Sequence, residues 1–238
     1  MRILYLDCSM GAAGDMLMAA LYELLEDKQV FLDMMRSLGL PGIEISADPA
    51  VKCGITGTHM KVLVHGSEEL DALHDHLHEH AHEHSHDHEH HHHTDLHEIE
   101  HLLSHLDLPQ TVQDDALAVY RRIAEAESKV HGTTVDQIHF HEVGTLDALA
   151  DVVGVCLLMH LLAPEKVYAS SVHVGSGQVR CAHGILPVPA PATALLLAGV
   201  PIYGGAIQGE LCTPTGAALL THFVTKFGEL PAMRLLKS

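Results

Sequence analysis

A chain cannot fold through a tract that it cannot bury, and residues 74–93 are such a tract. Histidine takes every second position from His74 to His90, as HDHLHEHAHEHSHDHEH, and His90 to His93 are four in a row. The residues between them are mostly Asp and Glu. Such a composition cannot bury enough apolar surface to offset the entropy of ordering the chain. Residues 67–94 therefore read as a disordered His-rich linker. It separates an N-terminal α/β segment, residues 1–66, from residues 95–238, a helical hairpin plus an α/β segment expected to complete the same domain. Imidazole is a ligand for borderline transition metals. Metal capture is the favoured reading of the tract, ahead of a solvated linker of indifferent composition. An expression tag would sit at a terminus as a plain histidine run. Catalysis is not expected of the tract, because a catalytic metal needs ligands held in one geometry by outer partners. A flexible segment with a reach of roughly 25–30 Å gathers metal instead.

The remainder is a soluble, cation-attracting protein by composition. With 47% hydrophobic residues in 238, the chain can bury one core or two. Aromatics are 4% and Trp is absent, so that core is aliphatic. The net charge of −18, with only 13 Lys and Arg, excludes nucleic acid as a partner. No membrane association is expected. Ile3 to Leu6 is too short for a signal-peptide core, and the longest apolar stretch, Val152 to Leu162, is broken by Gly154 and His160. Cys8, Cys53, Cys156, Cys181 and Cys212 are scattered and odd in number, and read as reduced thiols of a cytoplasmic protein.

Periodicity gives strands alternating with helices, hence an α/β fold with a mixed sheet flanked by helices. Strands are expected at residues 2–7, 43–46, 58–65, 167–174 and 200–203. Helices are expected at 15–25, 31–37, 95–106 (capped by Thr94), 111–130, 145–162, 192–198 and 215–227. Residues 186–191 read as a Pro-rich connection. Residues 230–238 close on no natural element and look like the start of something more.

Four motifs carry chemistry. In Asp7-Cys8-Ser9-Met10-Gly11-Ala12-Ala13-Gly14-Asp15, a glycine loop joins a strand to a helix. Free amides and a positive helix end there suit a phosphate or carboxylate, and Asp7 with Asp15 suits a hard cation. A tight turn with an N-cap explains the same residues equally well. In His139-Phe140-His141-Glu142-Val143-Gly144-Thr145-Leu146-Asp147, extended backbone puts both imidazoles on one face. Asp147 and Asp151, one turn apart on the next helix, can complete a metal shell or orient the rings. The alternative is a capping network. Gly175-Ser176-Gly177 with Cys181 and His183 offers close backbone approach and soft ligands. Thr213-Pro214-Thr215 opens the last helix, where a second phosphate seat competes with ordinary capping.

Five stretches, LDCSMGAAGDM, HFHEVGTLDALADVVG, VGSG, CAHGILPVPAPAT and GELCTPTGAALL, closely resemble the nickel insertion proteins of nickel-pincer cofactor biosynthesis. The likeness runs from residue 1 to about 233, interrupted where the His-rich insert varies. It implies a CTP-dependent cyclometallation, a lyase-class chelatase reaction. Ni²⁺ enters pyridinium-3,5-bisthiocarboxylic acid mononucleotide through two Ni–S bonds and one Ni–C bond, giving a product used by lactate racemase. It also implies a C-terminal nucleotide-binding domain, binding CTP with Mg²⁺ or Mn²⁺, that these residues lack. Activity is then expected to need that C-terminal part of the enzyme, and a homo-oligomer is expected. Residue chemistry on the matching motifs suggests His139 and His141, with Asp7 and Asp151, for nickel. Gly11, Gly14, Asp15, Thr213 and Thr215 are suggested for the substrate phosphate. Glu142, Asp147 or His183 would take the ring proton. The competing readings are a nickel chaperone or store acting through the tract, and a metal-dependent hydrolase. The last is disfavoured because the His-x-His of barrel hydrolases follows the first strand.

Overall fold

A computed structural model describes residues 1–40, 42–67, 94–140, 142–181 and 183–238. Almost all of the His-rich linker, His141 and the side chain of Glu142 lie outside the described residues.

The architecture is α/β, with parallel and antiparallel pairings kept in separate ladders. Its organising element is a helix, Leu146–Leu162, buried without interruption from Val152 to Met159. A helix apolar all round must be covered on every side. Helix α1 (Gly14–Glu23) crosses it where Gly154 meets the fully buried Met18; a methyl group on Gly154 would come within 2.6 Å of the Met18 sulfur. The glycine that seemed to break the apolar stretch is thus a helix-crossing point. Beside this pair lies a parallel sheet in the order β1 (Ile3–Leu6), β6 (Lys166–Ala169), β13 (Lys226–Phe227). Its register sets Ile3 opposite Lys166 and Lys226 opposite Tyr168.

The other helices are α2 (Lys28–Ser37), α3 (Leu96–His105), α4 (Gln110–His131), the central helix as α5, α6 (Pro191–Leu196) and α7 (Pro214–Phe223). Helix α4 packs on α3, α5, α6 and α7. The buried cluster draws on both sides of the linker, joining Leu4, Ile45 and Met60 to Ile123, Leu157 and Leu219.

Several local expectations change. Strand β2 (Ile43–Lys52) and β3 (Ile55–Val64) form a longer hairpin than alternation suggested. Cys53 and Gly54, at φ 51° and 80°, make its two-residue turn, matching the right-handed twist of the strands. Asp95 rather than Thr94 caps α3: its carboxylate accepts from the Glu98 amide at 2.8 Å and Glu98 answers, a full capping box. Thr94 instead opens the short strand β4 (Thr94–Asp95), paired with β5 (His139–Phe140). The strand expected at 167–174 breaks after β6, where the Cys8 amide donates to Ser170 Oγ at 2.8 Å. It resumes as β7 (Val172–His173), parallel to β11 (Ile202–Tyr203). Residues 178–187, read partly as loop, form the hairpin β9 (Gln178–Cys181) and β10 (Gly184–Pro187). The last helix ends at Phe223, because the chain turns extended at Val224 and leads into β13.

Candidate functional site

Asp7 and Ser170 follow the carboxyl ends of the parallel strands β1 and β6, the edge where open α/β sheets place ligands. The glycine loop after β1 is stitched there by two other segments. Gly11 donates to the Cys8 carbonyl at 3.0 Å and Ala12 to the Leu211 carbonyl at 2.9 Å. Thr213 donates to the Ala12 carbonyl at 3.0 Å, and His173 to the Cys8 carbonyl at 3.1 Å. Leu211 donates to the Val174 carbonyl at 3.2 Å. Gly11 has φ 89° and a methyl group there would overlap the Leu211 carbonyl, so only glycine fits. Three motifs distant in sequence are therefore one structure. A groove of about 1190 Å³ between β1, α1 and residues 230–238 opens onto it at Asp7, Cys8, Gly11 and Ala12.

Within this structure the singled-out residues of the glycine loop and of the start of α7 have definite places. The exposed Asp7 accepts from the Ser9 amide at 3.0 Å, a local turn. Thr213 Oγ accepts from the Gly216 amide at 3.1 Å and so caps α7, while Thr215 is buried. Asp15 is half-buried in the first turn of α1. Gly14 opens that helix, and the Asp151 side chain rests directly on it: a methyl at Gly14 would come within 2.5 Å of Asp151 Oδ2. A carboxylate at a helix N-terminus is favoured by the helix dipole. Asp151 thereby joins the glycine loop to the second motif.

The link continues through Tyr120, which the sequence did not mark. Burial pushes its phenol well up from the ordinary range, and the Asp147 and Asp151 carboxylates add to the shift. Among the described residues its hydroxyl has no hydrogen-bond partner. The Phe140 ring lies 5.9 Å from the Tyr120 ring. Phe140 is buried and His139 exposed, the alternation expected of extended backbone. His183 is placed elsewhere, with its ring centroid 4.9 Å from that of His131 at the end of α4. His173 was also missed. It is 5% exposed, stands edge-on to Tyr203 at 4.7 Å, and leaves Nδ1 without a partner among the described residues. Nothing in its spacing separated it from an ordinary strand residue.

Two cysteines belong to the loop. Burial, then the Asp7 charge, pushes the Cys8 thiol up to about 11. Burial, then Cys8 and Glu210, pushes Cys212 up to about 12. Neither is a ready thiolate ligand. Among the described residues no three His, Cys, Asp or Glu side chains are grouped to hold a metal as they stand. No helix among them is long and apolar enough to cross a membrane.

Fold and site together define an α/β protein with a glycine loop braced at the carboxyl end of a parallel sheet and the Asp151 carboxylate resting on it. The chain belongs to the nickel insertion protein family, whose model matches residues 4–238. A pyridinium-3,5-bisthiocarboxylic acid mononucleotide nickel insertion protein of Clostridium acetobutylicum is 47% identical over 96% of this chain and 57% of its own length. Those of Desulfitobacterium hafniense and Clostridium kluyveri are each 41% identical, over 99% and 95% of this chain. The chain spans 53% and 54% of those two relatives, about half of each. No solved structure matches.

Proposed function

We propose that this chain is the nickel-handling part of an enzyme that inserts Ni²⁺ into pyridinium-3,5-bisthiocarboxylic acid mononucleotide. The single observation carrying the reading is the Gly14–Asp151 contact. It joins an anion-compatible glycine loop to the helix carrying Asp147 and Asp151, which follows the His139 and His141 arm in sequence, in a chain of the nickel insertion family. The mononucleotide phosphate lies against the Gly11–Asp15 loop at the groove mouth. Thr213 and Thr215 support that seat from behind rather than line it, since one caps its own helix and the other is buried.

His139, His141 and Asp151, with Asp7 at the rim, hold nickel in transit. Imidazole and carboxylate suit this task because they bind Ni²⁺ less tenaciously than thiolate does, so sulfur can take the metal from them. Two Ni–S bonds form, and the ring carbon gives up its proton while its electron pair bonds nickel. Asp147, one turn before Asp151 and sharing the Tyr120 environment, is the preferred base, with Glu142 the alternative. The C-terminal part of the enzyme supplies the CTP and Mg²⁺ or Mn²⁺ chemistry. The two parts work together in the cytoplasm, as a homo-oligomer, with residues 67–94 as an accessory metal-gathering linker in one domain.

A second reading, a nickel chaperone or store acting through the His-rich tract, rests on the tract's composition alone. One reconstitution separates the two. The chain, a separately produced C-terminal part, CTP, Mg²⁺, excess Ni²⁺ and the mononucleotide are combined, and product is read by the nickel isotope pattern in mass spectrometry. Product is expected, and it should persist at excess Ni²⁺ when residues 74–93 are deleted. Product that vanishes with the deletion would favour the chaperone. No product with either form would sink the enzyme reading.

A further inference from the structure

We propose that Glu127, His131 and His183 form a second seat for a borderline divalent cation, a relay on the path to the insertion site; the relay role rests on the nickel-handling reading above. Glu127 and His131 are one turn apart at the end of α4, with His131 Nε2 3.5 Å from Glu127 Oε2. His183, at the turn of the β9–β10 hairpin, brings its ring to 4.9 Å from that of His131, tilted by 44°. The ring separation suits shared coordination, and the carboxylate oxygen stands just beyond it. At a metal–ligand distance of ~2.1 Å and an angle of ~90–110°, two ligand atoms lie ~3.0–3.4 Å apart and two imidazole centroids ~4.5–5.3 Å apart. The carboxylate needs only a small side-chain rotation to join the rings. Two imidazoles and one carboxylate select nickel, zinc or cobalt over magnesium or calcium.

Exposure favours exchange over permanent storage. The side chains of His131 and Glu127 are 30% and 17% exposed, and His183 is open to solvent. Position favours a relay. Tyr120, Ala124, Glu127 and His131 follow at three- and four-residue steps along one stripe of α4. The seat is thus displaced about 10–16 Å along the helix from Tyr120, whose ring senses Asp147 and Asp151.

Because the tract also binds metal, the test must read single residues in the full chain. Diethyl pyrocarbonate modification is followed peptide by peptide in a Ni²⁺ titration without substrate. His131 and His183 are expected to be protected together, with one midpoint, and Mg²⁺ should protect neither. His131→Asn should shift the His183 midpoint to about 10- to 100-fold higher Ni²⁺, and Glu127→Gln should shift both in the same direction. Circular dichroism checks the fold; should His131→Asn unfold the chain, His183→Asn supplies the reciprocal measurement at His131. Unchanged His183 modification at saturating Ni²⁺, or a His183 midpoint indifferent to His131→Asn, would overturn the seat. The footprint needs neither CTP nor mononucleotide, so it can fail while insertion succeeds. It can also succeed while insertion fails.

Discussion

Cys8 and Cys212 meet where the glycine loop is stitched to the start of α7, and burial raises both thiols, to about 11 and about 12. Their contribution to stability has a definite sign. The folded chain keeps both protons at pH values where the unfolded chain, with cysteines near 9.0, releases them. The contribution is therefore complete below about pH 9 and is lost as pH climbs towards 11–12. Urea midpoints measured from pH 8 to pH 10.5 should fall steadily. At pH 7.5 the exposed Cys53 and half-buried Cys181 should label quickly with iodoacetamide, while Cys8, Cys156 and Cys212 stay unlabelled. Fast labelling of Cys8 would show that the loop opens. A methyl group at Gly14 must displace Asp151, so Gly14→Ala should lower stability by about 1–3 kcal/mol in denaturant titration. Much of this loop was legible: Gly11, Gly14 and the acids were marked by type and spacing. Tyr120 was not, because a tyrosine on an apolar helix line reads as core. His131 was not, because a histidine in a last helical turn is accounted for by the helix dipole.

Among the elements, the long apolar helix and the helical pair after the linker were readable from periodicity and caps, since these are local signals. The cap of α3 shows the limit. Thr94 and Asp95 are both good N-caps, and the choice falls to Asp95 because Glu98, three residues on, answers it to close the capping box. Asp95→Ala should remove the capping box and cost about 1 kcal/mol in urea unfolding. Thr94→Ala should cost less than half as much; the reverse order would return the cap to Thr94. Strands were harder. The break after Ala169 depends on Ser170 receiving the Cys8 amide, a contact between remote residues. The end of the last helix depends on Lys226 finding Tyr168. Neither partner is visible in a local window, so the strand was drawn too long and the helix ran past its stop.

At the scale of the molecule, three of the five stretches that carry the family likeness converge at one sheet edge: the glycine loop, the segment around Val174 and the segment around Leu211. This convergence also orders events in time. Strand β1 is made before the elements that hold it: its partner β6 lies ~160 residues later and the brace at Leu211 and Thr213 later still. At ~5–20 residues per second, Ile3 to Leu6 wait about 10–30 s on the ribosome before their sheet neighbour exists. Nascent chains stalled before residue 166 should be cleaved readily near β1, and chains stalled well past residue 227 should be protected. The strand that anchors the glycine loop is thus made long before its sheet neighbour and is among the last elements to settle. For that interval an apolar tetrapeptide depends on whatever the translating cell offers to shield it.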